Sequence, residues 1–276
     1  MVYSVVVAGA SRGLGLEYVN FLSKDSANIV IGLYSSSYSA AKLLDLAKER
    51  QNVHAIQADV GKVNDIQSAV GQASRILDGK LDLLINNAAF FSGEPAKLCA
   101  PLHTRSAEDL EAELHAAFQV NTVGPILTAN LFLPLLRAGH TKKIMNISTL
   151  AGVMDVVLHA PLVVPVYSIT KAALNMATAA MTVGGLREEG FTLLAISPGV
   201  SNTNPPDATD APLDPQIASD TKRIYENLRT AYLDWDGVAD APGKTVRMTL
   251  DVINKATPAQ SGKFISHFGI ENERWL

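Results

Sequence analysis

Short, nearly uninterrupted apolar runs alternate along the chain with longer stretches whose apolar residues recur at helical spacing. The runs Tyr3 to Ala8, Asn28 to Leu33, Val53 to Ala58, Leu81 to Asn86, Lys143 to Ser148 and Thr192 to Ser197 predict strands, with Gly262 to Ser266 as a last one. Between them, Leu14 to Ser23, Ala40 to Glu49, Val63 to Leu77, Ala107 to Arg137 and Ser168 to Glu189 predict helices, and Pro125 is expected to disturb the longest. Strands that are apolar throughout bury both faces, as in a parallel sheet covered by helices. The β-α alternation therefore predicts an α/β fold with a doubly wound parallel sheet. No repeat or linker divides the sequence, so a single domain over residues 1–276 is expected. Asn202 to Pro215, rich in Pro, Asp, Asn and Thr, reads as a loop that opens a substrate-loop insertion around 202–235.

Composition narrows the function classes. Of 276 residues, 47% are hydrophobic, enough for a large core. A net charge of -4 leaves no basic footprint, so neither nucleic acid nor an anionic membrane is an expected partner. Val5 to Ala8 is too short for a signal-peptide core, and no apolar run reaches the roughly 20 residues of a membrane span. The single cysteine, Cys99, rules out an intrachain disulfide and suits a reducing, cytoplasmic setting. It sits in a Pro-flanked loop with no evident activating base, so it is not a candidate nucleophile. His103, His115 and His159 show no metal-ligand spacing, and no metal is expected.

Two motifs carry chemistry. Ala8-Gly9-Ala10-Ser11-Arg12-Gly13-Leu14-Gly15 lies between the first strand and the first helix. Glycines there permit a tight turn and close approach to a pyrophosphate, which the helix N-terminus then binds. A glycine triplet also marks ordinary turns; strand before and helix after favour dinucleotide binding on a Rossmann-type fold. The second motif is Tyr167-Ser168-Ile169-Thr170-Lys171. On a helix, residues i and i+4 share a face, so a phenol and an ammonium are held together. A nearby cation lowers a phenol pKa that is normally about 10. The phenol can then exchange a proton with a carbonyl or alcohol oxygen. A solvated helix face is the bland alternative.

The G-x-x-x-G-x-G spacing together with Y-x-x-x-K after a fifth strand resembles the short-chain dehydrogenase/reductase family, with Ala8 where the family has Thr. The resemblance implies an enzyme binding NADPH/NADP+ through Gly9, Ser11, Arg12, Gly13, Leu14 and Gly15. Tyr34-Ser35-Ser36-Ser37 after the second strand offers hydroxyls and no carboxylate. With Arg12, it points to the 2′-phosphate of NADPH, the alternative being a solvated turn. Asp59-Val60 matches the family's adenine contact, or else a helix cap or turn. Asn86-Asn87-Ala88-Ala89 resembles N-N-A-G beside the adenosine ribose, and Ala89 must then tolerate whatever φ that position uses. Pro198-Gly199-Val200-Ser201-Asn202-Thr203 resembles P-G-x-x-x-T, in which Thr203 would hold the nicotinamide carboxamide. Lys171 would bind the nicotinamide ribose. Asn121 would join Lys171 in a water-mediated proton relay, or else back-bond within its helix.

Ser148 and Thr149 compete for the family's active-site serine. Counting back three residues from Gly152 selects Thr149, and strand alternation allows only one of the two hydroxyls to face the substrate. From Thr149 to Tyr167 is 18 positions, several more than the family has. The intervening apolar segment, Val153 to Val166, is either a lid packed on the core, an oligomer contact or a wall of an apolar pocket. The ending Gly262-Lys263-Phe264 with Trp275 is similar to C-factor-like carbonyl reductases within the family. The expected activity is interconversion of a carbonyl and an alcohol on an apolar small molecule, with Tyr167 as acid/base. Two rivals keep the fold: imine reduction, dehydration or cyclisation in a biosynthetic pathway, and a non-catalytic nicotinamide sensor. Family members form dimers or tetramers through their long helices, so a homo-oligomer is a further expectation of the resemblance.

Overall fold

In the computed structural model, which describes residues 3–92, 97–159, 164–203, 215–271 and 275–276, seven parallel strands form one sheet in the order β3-β2-β1-β4-β5-β6-β7. They are β1 Ser4–Ala8, β2 Ile29–Tyr34, β3 Val53–Gln57, β4 Leu83–Asn86, β5 Lys143–Ile147, β6 Thr192–Ser197 and β7 Phe264–Ser266. The helices are α1 Gly13–Leu22, α2 Ala41–Glu49, α3 Val63–Ile76, α4 Ala107–Phe118, α5 Gly124–Ala138, α6 Met154–His159, α7 Pro165–Met181, α8 Pro215–Ala231 and α9 Pro242–Lys255.

Alternation within the strands divides the core between the two faces. Val6, Ile31, Leu84 and Ile144 join Ile66 of α3 and Phe132 and Leu136 of α5. Their neighbours Val5, Val7, Val30 and Met145 face Tyr18 and Val19 of α1 and Val246 and Ile253 of α9. Val5, Val6 and Val7 are each 0% exposed, which is why β1 is apolar from Val5 onward. Each such side chain contributes about 1.5–3 kcal/mol. A third apolar cluster lies at the carboxyl edge, where Leu150, Val156, Val164, Leu228 and Trp275 gather against Tyr167. Trp275 stacks on Phe264 at 4.7 Å and so ties down the chain end.

The sheet has the Rossmann-type order expected. The predicted helix over 107–137 is split into α4 and α5 by a π-helical turn at Gln119–Val123. Pro125 is the cause: it has no N–H to give the Asn121 carbonyl, the acceptor four residues back. Helices α6, α8 and α9 were not visible as apolar runs; α9 buries Thr245 and Thr249 among Val246, Leu250 and Ile253. The predicted loop insertion contains α8, while residues 204–214 lie outside the described residues, as do 93–96 and, within the apolar segment 153–166, residues 160–163. Among the described residues, no helix is long and apolar enough to cross a membrane.

Candidate active site

Strand order reverses between β1 and β4, and ligands of open α/β sheets bind outside the carboxyl ends at such a switch point. The glycine loop leaves β1 there, and Asn87-Ala88-Ala89 leaves β4. The two touch. Asn87 Nδ2 donates to the Gly9 carbonyl at 2.9 Å. A Cβ on Gly9, whose φ is +79°, would lie 2.5 Å from the Ala88 backbone, and one on Gly15 would lie 2.0 Å from the Gly9 carbonyl oxygen. Glycine is thus required by close backbone approach at both. The first turn of α1 carries no acidic residue, and no side chain caps it at Arg12. Its amide groups are left for a ligand, a donor set that fits a pyrophosphate. Leu14 is buried, Ser11 and Gly13 half-buried, and Arg12 exposed.

Other predicted cofactor residues surround this crevice. Thr203 lies 3.4 Å from where a Gly13 Cβ would be, so the P-G-x-x-x-T segment reaches the glycine loop. That segment is pinned by Asp240, whose N–H donates to Val200 and whose carbonyl accepts from Asn202. Gly199, next to half-buried Pro198, packs against the ring of His267. Tyr34 and Ser35 end β2, half-buried and exposed respectively, and Val60 is buried. Asp59 forms the turn into α3, its Oδ1 accepting from the Gly61 N–H at 2.9 Å. This is the turn role foreseen as the alternative to adenine binding. Among the described residues, only Asp78 and Lys142 combine a side chain with positive φ. Ala89 therefore replaces glycine without backbone strain.

At the other end, α7 presents Tyr167 and Lys171. Lys171 is 1% exposed, and its Nζ donates to the Ile147 carbonyl at 2.7 Å. Burial pulls its pKa down to about 7. The ammonium lies 5.7 Å from the Tyr167 ring centre, yet burial pushes the Tyr167 phenol up, not down. This corrects the expectation from Y-x-x-x-K alone. Burial desolvates both groups, Tyr167 against the third apolar cluster, and desolvation favours the neutral form of each.

Ser148 and Thr149 point apart. Ser148 is 1% exposed, and its Oγ donates to Asn175 Oδ1 at 2.5 Å. Thr149 is half-buried and extended, and its Oγ1 accepts from the Ala151 N–H at 3.2 Å. Gly152 then lies against the backbone of Lys171 and Ala172, so the strand end and the turn after it are registered on α7. Asn121 is 0% exposed. Its side-chain oxygen accepts from the Phe90 N–H at 2.7 Å, and its amide donates to the Phe90 carbonyl at 2.7 Å and to Thr170 Oγ1 at 3.0 Å. Its side chain is thus a clamp between the loop after β4 and α7.

Residues 3–211 match the family model described as short chain dehydrogenase. The chain belongs to that family. Similar curated proteins of the family include short-chain dehydrogenase/reductase atnB of Arthrinium sp, 35% identical with 99% of each chain covered. Short chain dehydrogenase virK of Hypocrea virens is 34% identical over the same share. In structure the chain is similar to NADPH-bound carbonyl reductase from chicken fatty liver, with TM-score 0.77 and 25% identity over 97% of each chain. The carbonyl reductase Sniffer of D. melanogaster shares the fold, with TM-score 0.74 and 21% identity over 98% of this chain and 99% of that one. Membership in the family makes the protein an oxidoreductase.

Two site residues escaped the sequence reading. Asn175 continues the i, i+4 series Tyr167, Lys171 and was open to discovery by extending it one turn. Phe91, stacked on Tyr167, follows the N-N-A-A segment with no periodic signal to mark it.

Proposed function

We propose that the protein is an NADPH-dependent reductase that interconverts a carbonyl and an alcohol on an apolar small molecule. The observation that carries this reading is the registration of α7, which bears Tyr167 and Lys171, against the end of β5, where Lys171 holds Ile147 and the turn opened by Thr149 packs on the helix through Gly152. When bound, the reduced nicotinamide supplies the hydride. The glycine loop and the first turn of α1 hold the pyrophosphate. Arg12 and Ser35 meet the 2′-phosphate, and Thr203 meets the carboxamide.

The chain's own part is proton transfer and orientation. Tyr167 holds its proton at neutral pH and, in the direction of reduction, gives it to the carbonyl oxygen as that oxygen becomes an alkoxide. Thr149 Oγ1 accepts from Ala151, and its hydroxyl hydrogen is directed to the same oxygen. Lys171 uses one of three donors on Ile147 and offers the others to the cofactor ribose and to water. With the Asn121 amide committed to Phe90 and Thr170, a proton relay past this residue runs through its backbone carbonyl, to which Pro125 donates nothing.

Leu150, Val153, Val156, Val164 and Val200 around Tyr167 support an apolar substrate. The single buried thiol, Cys99, supports a cytoplasmic setting. A homo-oligomer is part of this reading. Ile169, Met176 and Val183 recur every seven residues on the outward side of α7 and its continuation, exposed by 40%, 70% and 75%.

NADPH oxidation over a panel of ketones tests the proposal. Tyr167→Phe is expected to lower kcat by at least about 100-fold while NADPH affinity stays within about twofold. Undiminished turnover in that variant removes the mechanism.

A further inference from the structure

Thr170 is 0% exposed, and three side-chain hydrogen bonds meet on it. Its Oγ1 accepts from the Asn121 amide at 3.0 Å and donates to the Tyr167 carbonyl at 2.8 Å. Its own carbonyl accepts from the Thr122 hydroxyl at 2.9 Å. Asn121 and Thr122 are neighbours on the π-helical turn, so two consecutive side chains reach one residue of α7. The Asn121 amide also donates to the Phe90 carbonyl. A single hydroxyl therefore joins the loop after β4, through Asn121, to the peptide of Tyr167.

A helical threonine can bond back to the carbonyl three or four residues before it. Thr178, also 0% exposed, makes a junction of the same kind further along α7. It accepts from the Asn146 amide at 2.9 Å and donates to the Leu174 carbonyl, four residues back. Thr182 likewise bonds four back, to Thr178. Thr170 bonds three back, and that places its hydrogen bond on Tyr167 rather than Val166. Tyr167 is the third residue of α7, in a first turn whose amides have no carbonyl within the helix to bond. A bond from outside the backbone ladder counts for most there. We propose that Thr170 is a positioning residue for Tyr167: its hydroxyl carries the hold of Asn121 on the loop after β4 to the peptide of Tyr167 and so fixes the direction of the phenol. This rests on the reading of Tyr167 as the acid/base residue.

The test compares Thr170→Val with Thr178→Val in the full-length protein. Each keeps the side-chain shape and removes one buried hydroxyl from a junction with an asparagine, so both are expected to lower Tm by similar amounts. With NADPH and acetophenone as probe, Thr170→Val is expected to lower kcat about tenfold and to leave KM for NADPH within about twofold. Thr170→Ser is expected to restore kcat, and Thr178→Val to leave it within about twofold of wild type. Ring signals of carbon-13 tyrosine report on Tyr167 without turnover, its signal being assigned by its loss in Tyr167→Phe. That signal is expected to broaden or shift in Thr170→Val and to stay unchanged in Thr178→Val, and it decides the matter alone if wild type does not reduce the probe. A changed signal in Thr170→Val, with full turnover in Tyr167→Phe, sustains the hold on Tyr167 and sinks the acid/base reading. An unchanged signal or an unchanged kcat in Thr170→Val overturns the proposal. So do equal losses of kcat in the two valine variants, which mark Thr170 as a purely structural hydroxyl.

Discussion

Ser148 donates its hydroxyl to the side chain of Asn175 at 2.5 Å, while Thr149, one residue on, turns its own hydroxyl to the Ala151 amide. Successive side chains on an extended strand end face opposite ways, so the two hydroxyls are engaged on different sides, and in the proposed mechanism Thr149 is the one that meets the substrate. The two alanine variants should therefore fail differently. Ser148→Ala strands the Asn175 oxygen and is expected to cost about 1–3 kcal/mol of stability, with a smaller effect on kcat/KM. Thr149→Ala is expected to lower kcat/KM by about 100-fold with little change in Tm, and Thr149→Ser to recover most of it. Denaturant melts and steady-state kinetics on the three variants check this, and the reverse assignment of losses would make Ser148 the working hydroxyl.

Lys171 should leave a mark on the pH dependence of stability. Its pKa is 10.5 in an ordinary setting and is lowered to about 7 here by burial. Between those values the unfolded chain holds a proton that the folded chain has shed. Stability from this group is thus complete above the unfolded value and is lost as pH falls toward about 7. The slope is up to about 1.4 kcal/mol per pH unit. Lys171→Met removes it, so the stability difference between variant and wild type should narrow steadily from pH 7 to pH 10. Parallel curves would mean that Lys171 keeps its ordinary affinity for protons.

Arg12 is exposed at the mouth of the glycine loop, and β2 ends in Tyr34 and Ser35 with no carboxylate. If the 2′-phosphate is held there, Arg12→Ala raises KM for NADPH about tenfold and leaves KM for NADH nearly unchanged. The NADPH effect should shrink as salt rises, because the contact is solvent-facing. Equal losses with both cofactors would place the 2′-phosphate elsewhere.

The contact of Gly15 with the Gly9 carbonyl leaves no room for a methyl group, since a Cβ would sit 2.0 Å from that oxygen. Gly15→Ala must push α1 off the loop. It is expected to destabilise the protein by on the order of 3 kcal/mol, lowering Tm by roughly 5–10 °C, and to weaken NADPH binding. Gly71, with nothing within 4 Å of its Cβ position, is the control: Gly71→Ala within α3 should be neutral or slightly stabilising. Calorimetric scans with and without NADPH read both variants.

By itself the sequence determined the parallel sheet and marked the two motifs from which the candidate site is proposed. Strands such as β1 run apolar at consecutive positions, Val5 to Ala8, because both faces are covered, and that pattern is local. The turn after β1 and the i, i+4 pair on α7 are local as well: their function depends on residues a few positions apart. Three things were decided only by tertiary structure. Helix α9 buries two threonines, Thr245 and Thr249, the latter donating its hydroxyl to the Thr245 carbonyl, so its apolar stripe is diluted. The engagement of the Ser148 hydroxyl depends on Asn175, 27 residues away along the chain. The proton affinities of Tyr167 and Lys171 depend on desolvation by burial, for Tyr167 against a cluster that includes residues of α6, α8 and the chain end. Desolvation and long-range hydrogen bonds are properties of what surrounds a residue in space, and spacing along the chain does not encode them.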